Sequence, residues 1–153
     1  MTLRVKINDE EKEYTFTATM KNIVALNKKF KVNNLREAFF KALNAVNFEF
    51  LADVLMTLAD DETRKSLNSD YGKLYDLMEA YVKENNTDYL AIYSMLADEI
   101  NDSSFFGKKM SKTELEKEKN NPLVGFDING IVNTAVEGAM KDFAVEEFAG
   151  YRA

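Results

Sequence analysis

The feature that most limits the fold of this chain is a change of hydrophobic period at Thr19. Before it, apolar residues recur at every second position. Leu3, Val5 and Ile7 share one face, and Tyr14, Phe16 and Ala18 resume the alternation after the polar run Asn8-Asp9-Glu10-Glu11. Strand side chains alternate between two faces, so the pattern predicts a β-hairpin over residues 1–18. A lone hairpin is marginal in water, and its apolar face needs another surface to lie on. Beyond Thr19 the apolar residues recur three and four apart, the spacing of a helix face, so helices supply that surface.

Thr19 is the expected N-cap of a helix carrying Met20, Ile23, Val24, Asn27 and Phe30 on one side and ending near Lys31. Asn34, followed by Glu37, has the residues of a capping arrangement ahead of Leu35, Phe39, Leu43 and Val46. Asn44 and Asn47 predict a break before the next stripe, Phe48, Leu51, Ala52, Leu55 and Leu58. Asp60 to Asp70 reads as a connection with a short helical turn. Leu74, Leu77, Met78 and Tyr81, then Tyr89, Ile92, Tyr93, Leu96 and Ile100, predict an antiparallel helix pair across Asn85-Asn86-Thr87-Asp88. A last stripe, Ile128, Ile131, Val132, Ala135, Val136, Ala139 and Phe143, predicts a C-terminal helix that Gly130 and Gly138 weaken. The expected fold class is mainly α (α+β), an N-terminal β-hairpin packed on a bundle of about five to six amphipathic helices. The expected organisation is a hairpin plus helical core over 1–104, a linker loop over 105–126, where Asn120-Asn121-Pro122 opposes a helix, and a C-terminal helix over 127–153 that docks on the core or on a partner.

The chemistry open to the chain is narrow. It has no His and no Cys, which removes imidazole bases, thiolate nucleophiles, disulfides and nearly every zinc or haem site. No G-x-S-x-G, Walker or G-x-G-x-x-G pattern occurs, and the six glycines are scattered. No catalytic residue, metal, cofactor or small-molecule substrate is therefore expected. The acidic groups Asp60-Asp61-Glu62 and Asp98, Glu99, Asp102 lack the spacing of a calcium loop and fall at predicted helix ends, where solvated charge is common. With 20 basic and 26 acidic residues the net charge is -6. Residues 1–50 hold nine basic and six acidic side chains and the rest is strongly acidic. A phosphate-backbone binder needs clustered positive charge, so nucleic acid is not expected as a partner. No signal peptide, transmembrane run or lipidation signal is read, and no membrane partner is expected.

What remains is protein binding. Phe105-Phe106, ahead of Gly107-Lys108-Lys109, places adjacent aromatics outside the helical stripes, and Phe143, Phe148 and Tyr151 form a second aromatic group. Such residues either close a core or anchor in a partner's pocket. The number of apolar stripes, all competing for one small core, predicts self-association into a homo-oligomer.

The order of features resembles the tail assembly chaperones of long-tailed bacteriophages and prophages of Gram-positive bacteria. The matching residues are Leu3-Arg4-Val5-Lys6-Ile7 and Glu13-Tyr14-Thr15-Phe16 of the hairpin, and the helix from Met20 to Leu26-Asn27-Lys28-Lys29-Phe30. They continue through the Leu51 to Leu58 helix, Leu74-Tyr75-Asp76-Leu77-Met78-Glu79-Ala80-Tyr81, and Phe105-Phe106-Gly107-Lys108-Lys109, covering residues 1–110. The resemblance implies a non-enzymatic protein that binds the tape measure protein and helps recruit tail tube subunits. It also implies action in the host bacterial cytoplasm and absence from the mature virion. The partner-binding residues expected on this basis are Phe105, Phe106, Phe143, Phe148 and Tyr151. The alternative is a protein-binding adaptor or regulatory module of a mobile element.

Overall fold

A computed structural model of the protein describes residues 1–120, and the chain divides into two units between Asn121 and Pro122. Strands β1 (Thr2–Ile7) and β2 (Glu10–Thr15) pair antiparallel, with Leu3 opposite Tyr14 and Val5 opposite Lys12. Asn8 and Asp9 both have positive φ, the conformation that joins two twisted strands in a two-residue hairpin turn. Leu3, Val5, Tyr14 and Phe16 are buried. The alternation read in the sequence is thus the buried face of the hairpin, although Ile7, next to the turn, is exposed.

Seven helices follow among the described residues: α1 (Met20–Phe30), α2 (Leu35–Ala45), α3 (Phe48–Leu58), α4 (Asp61–Leu67), α5 (Tyr71–Glu84), α6 (Tyr89–Asp102) and α7 (Lys112–Lys119). Each begins on a polar side chain that accepts a hydrogen bond from an N–H of the first turn: Thr19, Asn34, Asn47, Asp60, Asp70, Asp88 and Ser111. These caps satisfy donors that have no partner inside a helix, and each contributes about 1 kcal/mol. The fold is mainly helical with an N-terminal hairpin, as the change of period predicts.

The hairpin is tied to the helices by backbone groups as well as by its apolar face. Lys6 N–H donates to Glu84 Oε1 of α5 at 2.8 Å, and Thr15 N–H donates to Thr63 Oγ1 of α4 at 2.7 Å. Past β2, Thr17 N–H reaches Leu58 O at 2.8 Å and Asp60 N–H reaches Thr15 O at 3.0 Å. This exchange is where α3 stops, because the carbonyl of Leu58 is turned to the strand. Glu99 of α6 completes the attachment: Oε2 accepts Ala18 N–H at 3.0 Å and Oε1 lies 2.7 Å from the Met1 amino group.

The core is built around Phe39. Its ring meets Phe40, Phe50, Tyr93 and Phe106 at centroid distances of 5.6, 6.2, 5.7 and 5.5 Å, and Phe30 stacks on Phe50 at 4.5 Å. Tyr93 is fully buried and its hydroxyl donates to the carbonyl of Asn47. Burial pushes its phenol well above the ordinary value, so it stays a neutral donor.

Three expectations need correction. In α1 the buried residues are Ile23 and Leu26, whereas Met20 is 68% and Val24 45% exposed. The inward stripe is centred on Ile23 and Leu26, which rotates Val24 away from it. Val46, expected on the inward stripe of the second helix, lies beyond the end of α2 as a left-handed residue with φ 49°. It makes the break that Asn44 and Asn47 signalled. The expected linker holds a helix: Lys112–Lys119 form α7, with Phe106, Met110 and Leu115 buried. The physical cause is Asn101, itself buried, which donates to Met110 O at 3.0 Å and accepts Met110 N–H at 2.8 Å. Ser111 and Glu114 then close a reciprocal cap, which holds the Glu114 carboxyl below its usual range. The mixed charges of Lys112 to Lys119 hid this helix, because Leu115 is its only buried residue.

Candidate functional site

The sequence singled out Phe105 and Phe106, and the structure separates their roles. Ser104 N–H bonds Asn101 O at 2.9 Å and Phe105 N–H bonds Ile100 O at 3.1 Å, with Ser104 at φ 65°. This is a Schellman end to α6, in which the residue in the position of Phe105 packs back on the last turn. Phe105 is accordingly half-buried. Phe106 is 1% exposed and sits between Phe39 and Phe40, and its carbonyl accepts from the Asn34 amide at 3.3 Å. Gly107 follows at φ 102°, a conformation open to glycine and strained for any side chain. The ring of Phe106 is therefore core in this conformation and offers no surface to a partner. Phe143, Phe148 and Tyr151 lie outside the described residues, as does the predicted helix at 127–153.

Among the described residues an accessible aromatic surface lies elsewhere, at the starts of α3 and α6 and on the outer face of α5. Asn47 accepts Phe50 N–H at 3.0 Å through its side chain, and its backbone carbonyl accepts the Tyr93 hydroxyl. This fixes the start of α3 so that Phe50 faces the core and Phe48, two residues earlier, faces out at 46% exposure. Tyr89 begins α6 and packs edge-on against Phe48 at 4.9 Å. On α5, Leu74, Leu77 and Met78 are buried, which turns Tyr75, Asp76 and Glu79 to solvent, with Tyr75 39% exposed. Tyr81 joins α5 to α6 through a 3.7 Å contact of its hydroxyl with Met95 Sδ. Phe48, Tyr75, Asp76, Met78, Glu79 and Tyr89 together line an open cleft of about 430 Å³.

Sequence reasoning missed this cleft because Phe48 and Tyr89 fit the inward stripes of their helices. The available signal was their position directly after the caps Asn47 and Asp88, where a side chain projects past the end of the bundle. Tyr75 carried a signal too, since it lies beside Leu74 and off the Leu74, Leu77, Met78 face.

Several titratable groups are occupied structurally. Asp98 Oδ1 is 2.9 Å from Lys119 Nζ, while Glu99 binds the start of the chain and Ala18 N–H. The carboxylates that share the Asp98 to Asp102 stretch thus serve different partners. Asp60 is the cap of α4, accepting Thr63 N–H at 2.8 Å. Asp53 accepts the Tyr71 hydroxyl at 2.8 Å and lies 3.2 Å from Lys29 Nζ. The hydrogen bond to Asp53 raises the Lys29 ammonium above its usual range, and burial raises the Tyr71 phenol. That trio joins α1, α3 and α5. No helix among the described residues is long and apolar enough to cross a membrane.

Comparisons with protein-family models, with curated proteins and with solved structures gave no match to this chain.

Proposed function

We propose that the chain is a non-enzymatic tail assembly chaperone of a long-tailed phage or prophage. In this reading it binds the tape measure protein during assembly in the host bacterial cytoplasm, helps recruit tail tube subunits, and is absent from the finished virion. The order of hairpin and helices supports it, as does a composition without His or Cys, which leaves little for a catalyst to use. The observation that carries the reading is the exposure of Phe48, at the capped start of α3, and of Tyr75, on the outer face of α5. Aromatic anchors on rigid elements suit a protein that holds the apolar face of a long helical client. The net charge of -6 favours solubility of such an assembly. Self-association belongs to the same reading, since α1 leaves Met20 and Val24 exposed one turn apart.

The test is co-expression of the full chain with the product expected as its client, a long helical tape measure protein, followed by affinity capture. Co-purification of that product, lost on Phe48→Ala with Tyr75→Ala while the fold is kept, is the expected outcome. Absence of any complex at high expression of both proteins would sink the proposal.

A further inference from the structure

We infer that the cleft of Phe48, Tyr75 and Tyr89 selects an amphipathic helix with large apolar residues one turn apart and Lys or Arg on its flanks. This deepens the chaperone reading and rests on it for the biological client, though not for the chemistry.

The shape argues for a helix. The cleft lies between the starts of α3 and α6 and the outer face of α5 and is open to solvent, whereas small-molecule sites enclose most of their ligand. The two strands of the hairpin are not among its lining residues, so an added strand has no edge to pair with there. What the cleft does offer is an aromatic lining, the Phe48 and Tyr89 pair together with Tyr75, and the buried Met78. An incoming helix fills such a space with side chains at positions i and i+4.

The charge argues for basic flanks. Asp76 and Glu79 line the cleft one turn apart, and both are exposed. The positive ends of α3 and α6 also face this region, but each has its own acid: Glu49 in the first turn of α3 and Asp88 as the cap of α6. Lys83 Nζ, 3.4 Å from Glu79 Oε2, offsets part of one charge in an exposed pair of small energetic weight. Among the described residues no ion pair offsets Asp76, which lines the cleft beside Tyr75. A helix bringing cations to Asp76 and Glu79 gains complementarity, and one bringing carboxylates is repelled.

Among the described residues, α1 has this pattern. In α1, Met20 and Val24 are exposed with Lys21 and Lys28 beside them. A second copy is thus the competing occupant, and the test separates it.

The full chain, isotopically labelled, is titrated with two synthetic helical peptides. One carries leucines at i and i+4 flanked by lysines, and its twin has glutamates in place of the lysines. The expected result is that the basic peptide alone binds, shifts the resonances of Phe48, Tyr75 and Tyr89, and weakens as salt is raised. Asp76→Lys with Glu79→Lys should lower its affinity about tenfold and let the acidic twin bind better than the basic one. If that variant misfolds, Asp76→Asn with Glu79→Gln gives the same reading without the reversal. Equal binding of both peptides, or binding of neither, would overturn the inference. So would cleft resonances that shift with protein concentration alone and resist competition by the basic peptide, since a second copy would then be the occupant. Client capture that persists in a variant deaf to the basic peptide removes the inference and leaves the chaperone reading standing. Peptide selectivity without client capture does the reverse.

Discussion

Two aromatic groups in this protein have similar composition and opposite fates. The rings around Phe39 gather side chains from α2, α3, α6 and the loop after α6, and they are sealed. Phe48, Tyr75 and Tyr89 also come from three helices, yet they line an open cleft. The difference lies in backbone placement. Phe39 and Tyr93 sit within helices, and the Schellman turn and the Asn101 clamp fold Phe106 inward. Phe48 and Tyr89 are the first residues of their helices, where the bundle ends. An aromatic residue in a helical stripe is core only while there is bundle on both sides of it.

The largest expected effect breaks the sealed group. Phe39→Ala removes the ring at its centre and should destabilise the domain by about 3–5 kcal/mol, the range for truncating a fully buried aromatic. Urea unfolding followed by circular dichroism measures it, and a loss under about 1 kcal/mol would mean the rings are not a shared core. Next comes the clamp. Asn101→Ala removes the side-chain amide that pairs both backbone groups of Met110 and should cost about 2–3 kcal/mol, the combined effect of two buried groups left unpaired. Hydrogen exchange would show the loss first at Met110 and along α7, with α1 protected.

Much of this contrast was legible beforehand and part of it was not. The hairpin, the cap at Thr19, the end at Lys31 and the break before Phe48 follow from local chemistry, and each is present. Local chemistry acts within a few residues and therefore prints in sequence. The helix α7 did not print, because a single buried Leu115 and a cap cannot outweigh eight mostly charged residues unless Asn101, nine residues before Met110, holds the loop. Core closure is one of two readings of Phe106, and contacts with Phe39 and Phe40, distant in sequence, decide for it. The cleft failed to print for the opposite reason, since periodicity reports the face of a helix but not where along the bundle that face runs out.

A smaller effect sharpens the comparison at its hinge. Val46 holds φ 49° between α2 and α3, a conformation that opposes a β-branched side chain and suits Asn. Val46→Asn should gain about 0.5–1 kcal/mol, offset by whatever packing its half-buried methyl groups provide. The phase of α3 depends on this turn, so the variant should keep Phe50 buried and Phe48 exposed. A loss of stability greater than about 1 kcal/mol would place the weight of Val46 in packing and not in its backbone strain.

The most direct measurement of whether the two aromatic groups divide stability from recognition compares Phe106→Ala with the double variant Phe48→Ala and Tyr75→Ala. Each is carried through a thermal melt and through capture of the long helical client. Phe106→Ala should lower the melting temperature by well over ten degrees for a unit of this size, as a loss of about 3–5 kcal/mol implies, and should fail in capture only as far as it unfolds. The double variant should melt within a few degrees of the unaltered chain, since exposed substitutions stay near 0.5 kcal/mol each, and should lose the client. The opposite pattern, a folded Phe106→Ala chain that no longer binds beside a double variant that still does, would contradict the division and return recognition to the loop after α6.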